Sequence, residues 1–149
     1  MKKILVIAAH PDDELLGCGG SLLYYRKLGY KIKVVFLSDG ESSRKENNKK
    51  IKKLILKRIK QAELVSRKCS FIKPTFGGFP DNKLDTVPLL DIVQFIEKKI
   101  QEFKPEIIFT HFENDLNIDH HLTFKAVITA TRPLSKTFVK KILSFEIPS

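Results

Sequence analysis

Six apolar residues in a row, Ile4-Leu5-Val6-Ile7-Ala8-Ala9, lead straight into His10-Pro11-Asp12-Asp13-Glu14. A run so short, with Lys2-Lys3 before it and charge after it, reads as a strand covered on both faces, the strand type of a parallel α/β sheet. That reading constrains the rest of the chain, because parallel strands need long crossovers and ligands collect beyond their carboxyl ends. One imidazole and three carboxylates therefore stand where such a fold places chemistry.

The remaining chain alternates accordingly. Leu15 to Leu28 reads as a helix, with Gly17-Cys18-Gly19-Gly20 thin enough for close packing on the sheet and Gly29 as its stop. Lys31 to Leu37 is a second strand, followed by a polar loop from Ser38 to Ser43. A long helix spans about Lys45 to Lys68, and Pro74 marks the weaker strand Phe71 to Phe76 as an edge. Gly77 to Asn82 reads as loop. Thr86-Val87-Pro88 opens a helix with Pro just inside its start and an apolar stripe of Leu89, Ile92, Val93, Ile96 and Ile100, ended by Lys104-Pro105. Glu106 to Thr110 is the fourth strand, Asp119 to Thr131 a helix, and Lys141 to Ile147 the last strand. The expected fold is α/β, a three-layer Rossmann-like domain over residues 1–149 with a mainly parallel sheet in the common order 3-2-1-4-5. In that order the loops after strands one and four face each other.

The formal charge of +10 raises the question of an anionic partner. Nine of the Lys and Arg residues lie between Arg44 and Lys60, where Ile51, Leu54, Ile55, Ile59 and Ala62 recur at helical spacing. An amphipathic helix with a solvated basic face accounts for them, and no aromatic platform or binding motif speaks for nucleic acid. A nucleotide-binding Rossmann-like module is the other rival, but it wants G-x-G-x-x-G after strand one, where this chain carries His-Pro-Asp-Asp-Glu. Cys18 and Cys69 form no C-x-x-C pair and read as reduced thiols of a cytoplasmic protein. No segment is long enough to span a membrane, and His10 to Glu14 breaks the apparent signal-peptide start. Assembly into a homo-oligomer stays open.

All four histidines of the chain fall in the two facing loops: His10 after strand one, and His111, His120 and His121 after strand four. A catalytic zinc takes three nitrogen or oxygen ligands and keeps one position open. His10 and Asp13, three residues apart at a turn entering a helix, can converge on one ion, and Asp119-His120 brings the third ligand from the distant loop. Pro11 with Asp12-Asp13-Glu14 also suits ordinary helix capping, so it is the pairing of both clusters that points to a metal.

Ala9-His10-Pro11-Asp12-Asp13-Glu14, the following Leu16-Gly17-Cys18-Gly19-Gly20, and Asp119-His120 after strand four together resemble the LmbE/PIG-L family of zinc-dependent N-acetylglucosaminyl de-N-acetylases. The resemblance implies His10, Asp13 and His120 as ligands of Zn2+, with Fe2+ also compatible, and Asp12 as general base in hydrolysis of an N-acetylated amino-sugar conjugate. It further implies substrate contacts at Arg58 and Asp81. Many members carry a histidine where this chain has Asn117, which can donate a hydrogen bond to substrate but cannot deliver a proton. The acid then falls to Asp12 after it has accepted a proton, or to His111 or His121, while Asp119 reads as an orienting residue or helix cap. An exposed helix position accounts for His121 equally well. Relatives continue past Glu146-Ile147-Pro148-Ser149 with further strand and helix, so the chain is expected to lack the C-terminal part of its domain.

Overall fold

The computed structural model describes residues 2–133 and 138–148. Five parallel strands form one sheet in the order β3-β2-β1-β4-β5, as expected: β1 (Lys3–Ala8), β2 (Lys31–Ser38), β3 (Ile72–Phe79), β4 (Ile107–His111) and β5 (Lys141–Phe145). Successive residues of a strand point to opposite faces, so the apolar runs are divided between two cores. Ile4, Val6, Ala8, Val34 and Phe36 pack under α1 (Asp13–Lys27) and α2 (Asn48–Lys68). Leu5, Ile7, Val35, Leu37 and Ile108 pack against α3 (Leu89–Phe103) and α4 (Ile118–Ala130). Every residue from Ile4 to Ala9 is fully buried, which is why the run carries no polar position.

The departures from expectation sit at element ends and have local causes. Asn47 accepts the Lys50 N–H at 2.9 Å and starts α2 at Asn48 rather than Lys45. Pro88 caps α3 from just outside instead of lying inside it, and Lys104 ends that helix in a left-handed conformation ahead of Pro105. The edge strand β3 continues through Gly77-Gly78 to Phe79. Its pairing with β2 slips once at Lys73-Pro74 and again at Gly77-Gly78, so two bulges absorb residues that would otherwise end a strand.

Of the glycines opening α1, only Gly17 makes the close approach. A Cβ there would lie 2.2 Å from Cδ2 of Phe145 on β5, whereas one at Gly20 would meet nothing within 4 Å. Phe145 in turn contacts the ring of His111 at the end of β4, with centroids 4.7 Å apart. The helix, the last strand and the floor of the facing loops are thus packed as one unit.

Candidate metal centre

The carboxyl ends of β1 and β4 lie side by side, and α1 and α4 start from them. Asp12 stands at the start of α1, without a capping hydrogen bond from its side chain, at φ of 135°, a conformation that costs a non-glycine residue about 1–3 kcal/mol and survives only where its surroundings hold it. They do so here. The Asp12 N–H donates to Glu14 Oε2 at 3.1 Å, and its carboxylate accepts from Arg58 at 2.9 Å. Within the same turn the His10 N–H donates to Asp13 Oδ2 at 2.8 Å. Asn117 caps α4, its Oδ1 accepting from the Asp119 and His120 N–H groups, which turns the first residues of that helix toward β1.

Three donor atoms meet between these helix starts. His10 Nδ1 lies 3.3 Å from Asp13 Oδ2 and 3.2 Å from His120 Nε2, and the last two atoms are 3.4 Å apart. A tetrahedral ion with bonds of about 2.0–2.1 Å spaces its donors by about 3.3 Å, so the triangle has the size of one face of such a site. The donor set of two imidazoles and a carboxylate fits a divalent transition metal. Two other groupings, His10 with Asp81 and Asp119, and His111 with Asp115 and His120, each borrow a histidine from the first.

Carboxylates surround the triangle and orient it. The fully buried Asp119 accepts from the Asn82 N–H at 2.7 Å and the Leu84 N–H at 3.0 Å, and its Oδ2 lies 3.0 Å from His10 Nε2. Asp115 holds His120 Nδ1 at 3.0 Å. Asp81, also buried, is bound by Ser43 and lies 3.3 Å from His10 Nε2. Burial alone would lower the His10 pKa, yet Asp119, Asp13 and Asp81 overcome it and pull the imidazole up to about 11. Asp13 is buried, which disfavours its charge, but His10 and His120 hold its carboxyl far below the usual range. A dication would meet the same concentration of negative charge that keeps the proton on His10.

Asp12 differs from its neighbour. Its side chain is 53% exposed on the wall of a cleft of about 340 Å³, and burial of the remainder, with the adjacent Asp13 charge, raises its pKa against the pull of Arg58. Arg58 is fixed by Glu41 Oε1 at 2.9 Å and by the Pro11 carbonyl at 3.1 Å. The cleft is also lined by Asp81, Asn82 and Asn117, and the Asn117 amide donates to Asn82 Oδ1 at 3.1 Å.

The structure therefore gathers His10, Asp12, Asp13, Arg58, Asp81, Asn117 and His120 around one cleft, with Asp119 beneath it. The other two histidines do not line the cleft, although His111 reaches the triangle from behind, its Nε2 3.2 Å from Asp13 Oδ2. His111 is fully buried behind His120, stacked on it at 3.9 Å, and its Nε2 accepts the Ala9 N–H at 2.9 Å. His121 is bonded to the Glu113 carbonyl and lines a separate cavity with Phe124 and Ile128. Glu41 and Asp115 are residues that sequence reasoning passed over. Both lie in polar loops, and an acidic loop residue following a strand end was the one available signal.

The chain matches the PIG-L family, described as GlcNAc-PI de-N-acetylase, over residues 5–131. YaiS of Escherichia coli, described as an uncharacterized deacetylase, is 28% identical over 153 residues, covering 99% of this chain and 75% of its own length. Among solved structures, the conserved protein TT1542 of Thermus thermophilus superimposes with a TM-score of 0.79 at 26% identity over 98% of this chain. The N,N'-diacetylchitobiose deacetylase of Pyrococcus horikoshii shares the fold, with a TM-score of 0.77 at 23% identity over 87% of the chain. The chain spans 66% of the Thermus protein and 49% of the Pyrococcus protein. A family match over most of the chain, on a fold that brings the two matching motifs together, makes this protein a member of the PIG-L, or LmbE-like, family.

Proposed function

We propose that this protein is a zinc-dependent de-N-acetylase that hydrolyses the N-acetyl group of an N-acetylglucosamine conjugate. The observation that carries the reading is the triangle of His10 Nδ1, Asp13 Oδ2 and His120 Nε2, of tetrahedral size and open to a cleft beside an exposed carboxylate. A metal held there would supply polarisation of the amide carbonyl and acidification of a water molecule. Asp12 takes the proton of the attacking water, its raised pKa favouring acceptance and its exposure opening it to the cleft. The same carboxyl then protonates the departing amine, since His111 is sealed behind His120 and His121 faces another cavity. Arg58 keeps Asp12 aimed and, with Asp81, contacts the sugar, and the second N–H of the Asn117 amide is available to a substrate carbonyl. Cys18 and Cys69 are unpaired, which supports a reducing, cytoplasmic location.

The test is elemental analysis together with acetate and primary-amine release from acetylglucosamine and its nucleotide and phospholipid conjugates, with and without chelator. The expected result is one divalent metal per chain, lost in His120→Ala, and chelator-sensitive acetate release. Equal metal in parent and variant removes the ligand assignment. Absence of release by metal-loaded protein from every conjugate removes the reaction.

A further inference from the structure

The amino-terminal half of α2 does little for the core. Its buried residues are Ala62 and Ser66, both in the second half, and none of residues 48–61 is buried. At 100° per residue, Lys49, Lys53, Leu56, Lys57, Lys60 and Leu64 fall on one face, a band about 22 Å long. Among the described residues no carboxylate lies within ion-pairing distance of Lys49, Lys53, Lys57 or Lys60, and the acidic residue of the helix, Glu63, is paired with Lys73 at 3.1 Å. Leu56 is 58% and Leu64 40% exposed within this cationic band. A band that only solubilised the protein would need no leucines there. The opposite side of the same helix carries Arg58 into the cleft.

We propose that this face of α2 docks on an anionic lipid surface, with the lysines over the headgroups and Leu56 and Leu64 at the level of the first methylenes. Charge complementarity and the two interleaved leucines favour a bilayer over nucleic acid. A phosphate backbone rewards arginine forks and stacking rings, and this face carries a single arginine, Arg67 at its carboxyl end, and no ring. No helix among the described residues is long and apolar enough to cross a membrane, so the association is peripheral and salt-sensitive. Docked in this way, the helix lies between the lipid surface and the cleft whose wall its Arg58 forms. The inference concerns binding alone and stands whether or not the deacetylase reading holds.

Co-sedimentation of the intact protein with phosphatidylcholine vesicles, with and without about 30% phosphatidylglycerol, tests it at about 0.1 M and about 0.5 M salt. The expected result is binding to the anionic vesicles at low salt, little to neutral ones, and release at high salt. Since each lysine at such a surface is worth about fivefold, replacing Lys53, Lys57 and Lys60 together by Gln weakens partitioning about a hundredfold. Leu56→Ser weakens it severalfold with no change of charge. A matching melting curve shows that the variants fold. Equal binding to neutral vesicles, no binding, or unchanged binding by the triple-lysine or the Leu56 variant overturns the proposal. So does tighter binding to an oligonucleotide than to anionic vesicles, or a self-association that Leu56→Ser abolishes.

Discussion

Removing the Asp119 carboxylate breaks three contacts at once, to the Asn82 and Leu84 N–H groups and to His10. Asp119→Ala would leave the Leu84 N–H buried without a partner, and a buried orphan donor costs about 1–3 kcal/mol. The Asn82 N–H belongs to an exposed residue and recovers part of its bond from water, so its loss is smaller. Together the two give about 2–4 kcal/mol, which for a chain of this size lowers the melting temperature by about 5–15 °C. His10 also loses the carboxylate at its Nε2, and the loss of such a partner behind a metal ligand reduces metal affinity by about 10–100-fold. Urea or thermal unfolding measures the first effect, and titration against a competing chelator the second. A variant within about 0.5 kcal/mol of the parent that binds metal equally well would refute the claim that this carboxylate ties the Asn82-to-Leu84 segment, α4 and His10 together.

Asp13→Asn should lose metal and activity together, whereas Asp12→Asn should keep its metal and lose activity by about a hundredfold or more, read by elemental analysis beside an acetate assay. Gly17→Ala should destabilise by about 1–3 kcal/mol through its clash with Phe145, while Gly20→Ala, facing open space on the same helix, should stabilise by up to about 1 kcal/mol in urea unfolding. Burial raises the Glu14 carboxyl to about 7, so the native state binds more protons than the unfolded one between the ordinary glutamate value and 7. Its contribution is present at low pH and lost as pH rises through that window, so Glu14→Gln should match the parent near pH 4 and exceed it near pH 8, by an amount on the order of 3 kcal/mol. Unfolding midpoints that keep the same separation at both values would contradict this.

Some of this was legible in the chain itself, because hydrophobic period and chain direction are local properties. The uninterrupted run Ile4 to Ala9 requires burial on both faces, and strand-helix alternation requires crossovers, which together lead to the parallel sheet that is observed. The convergence of His10 and Asp13 with His120 was readable because the fold class puts the ends of β1 and β4 side by side. What the tertiary structure decided was direction. His120 and His121 are adjacent in sequence, yet one faces the cleft and the other the far side of α4, since neighbours on a helix are 100° apart and only packing selects the inward one. Asp115 and Glu41 bear on the site through loops whose paths follow no period, so their contacts with His120 and Arg58 existed only after the strands had fixed the loop ends. The bulges that carry β3 past Pro74 and Gly77-Gly78 were equally hidden, because it is pairing with β2 that turns residues unsuited to a strand into an ordered edge.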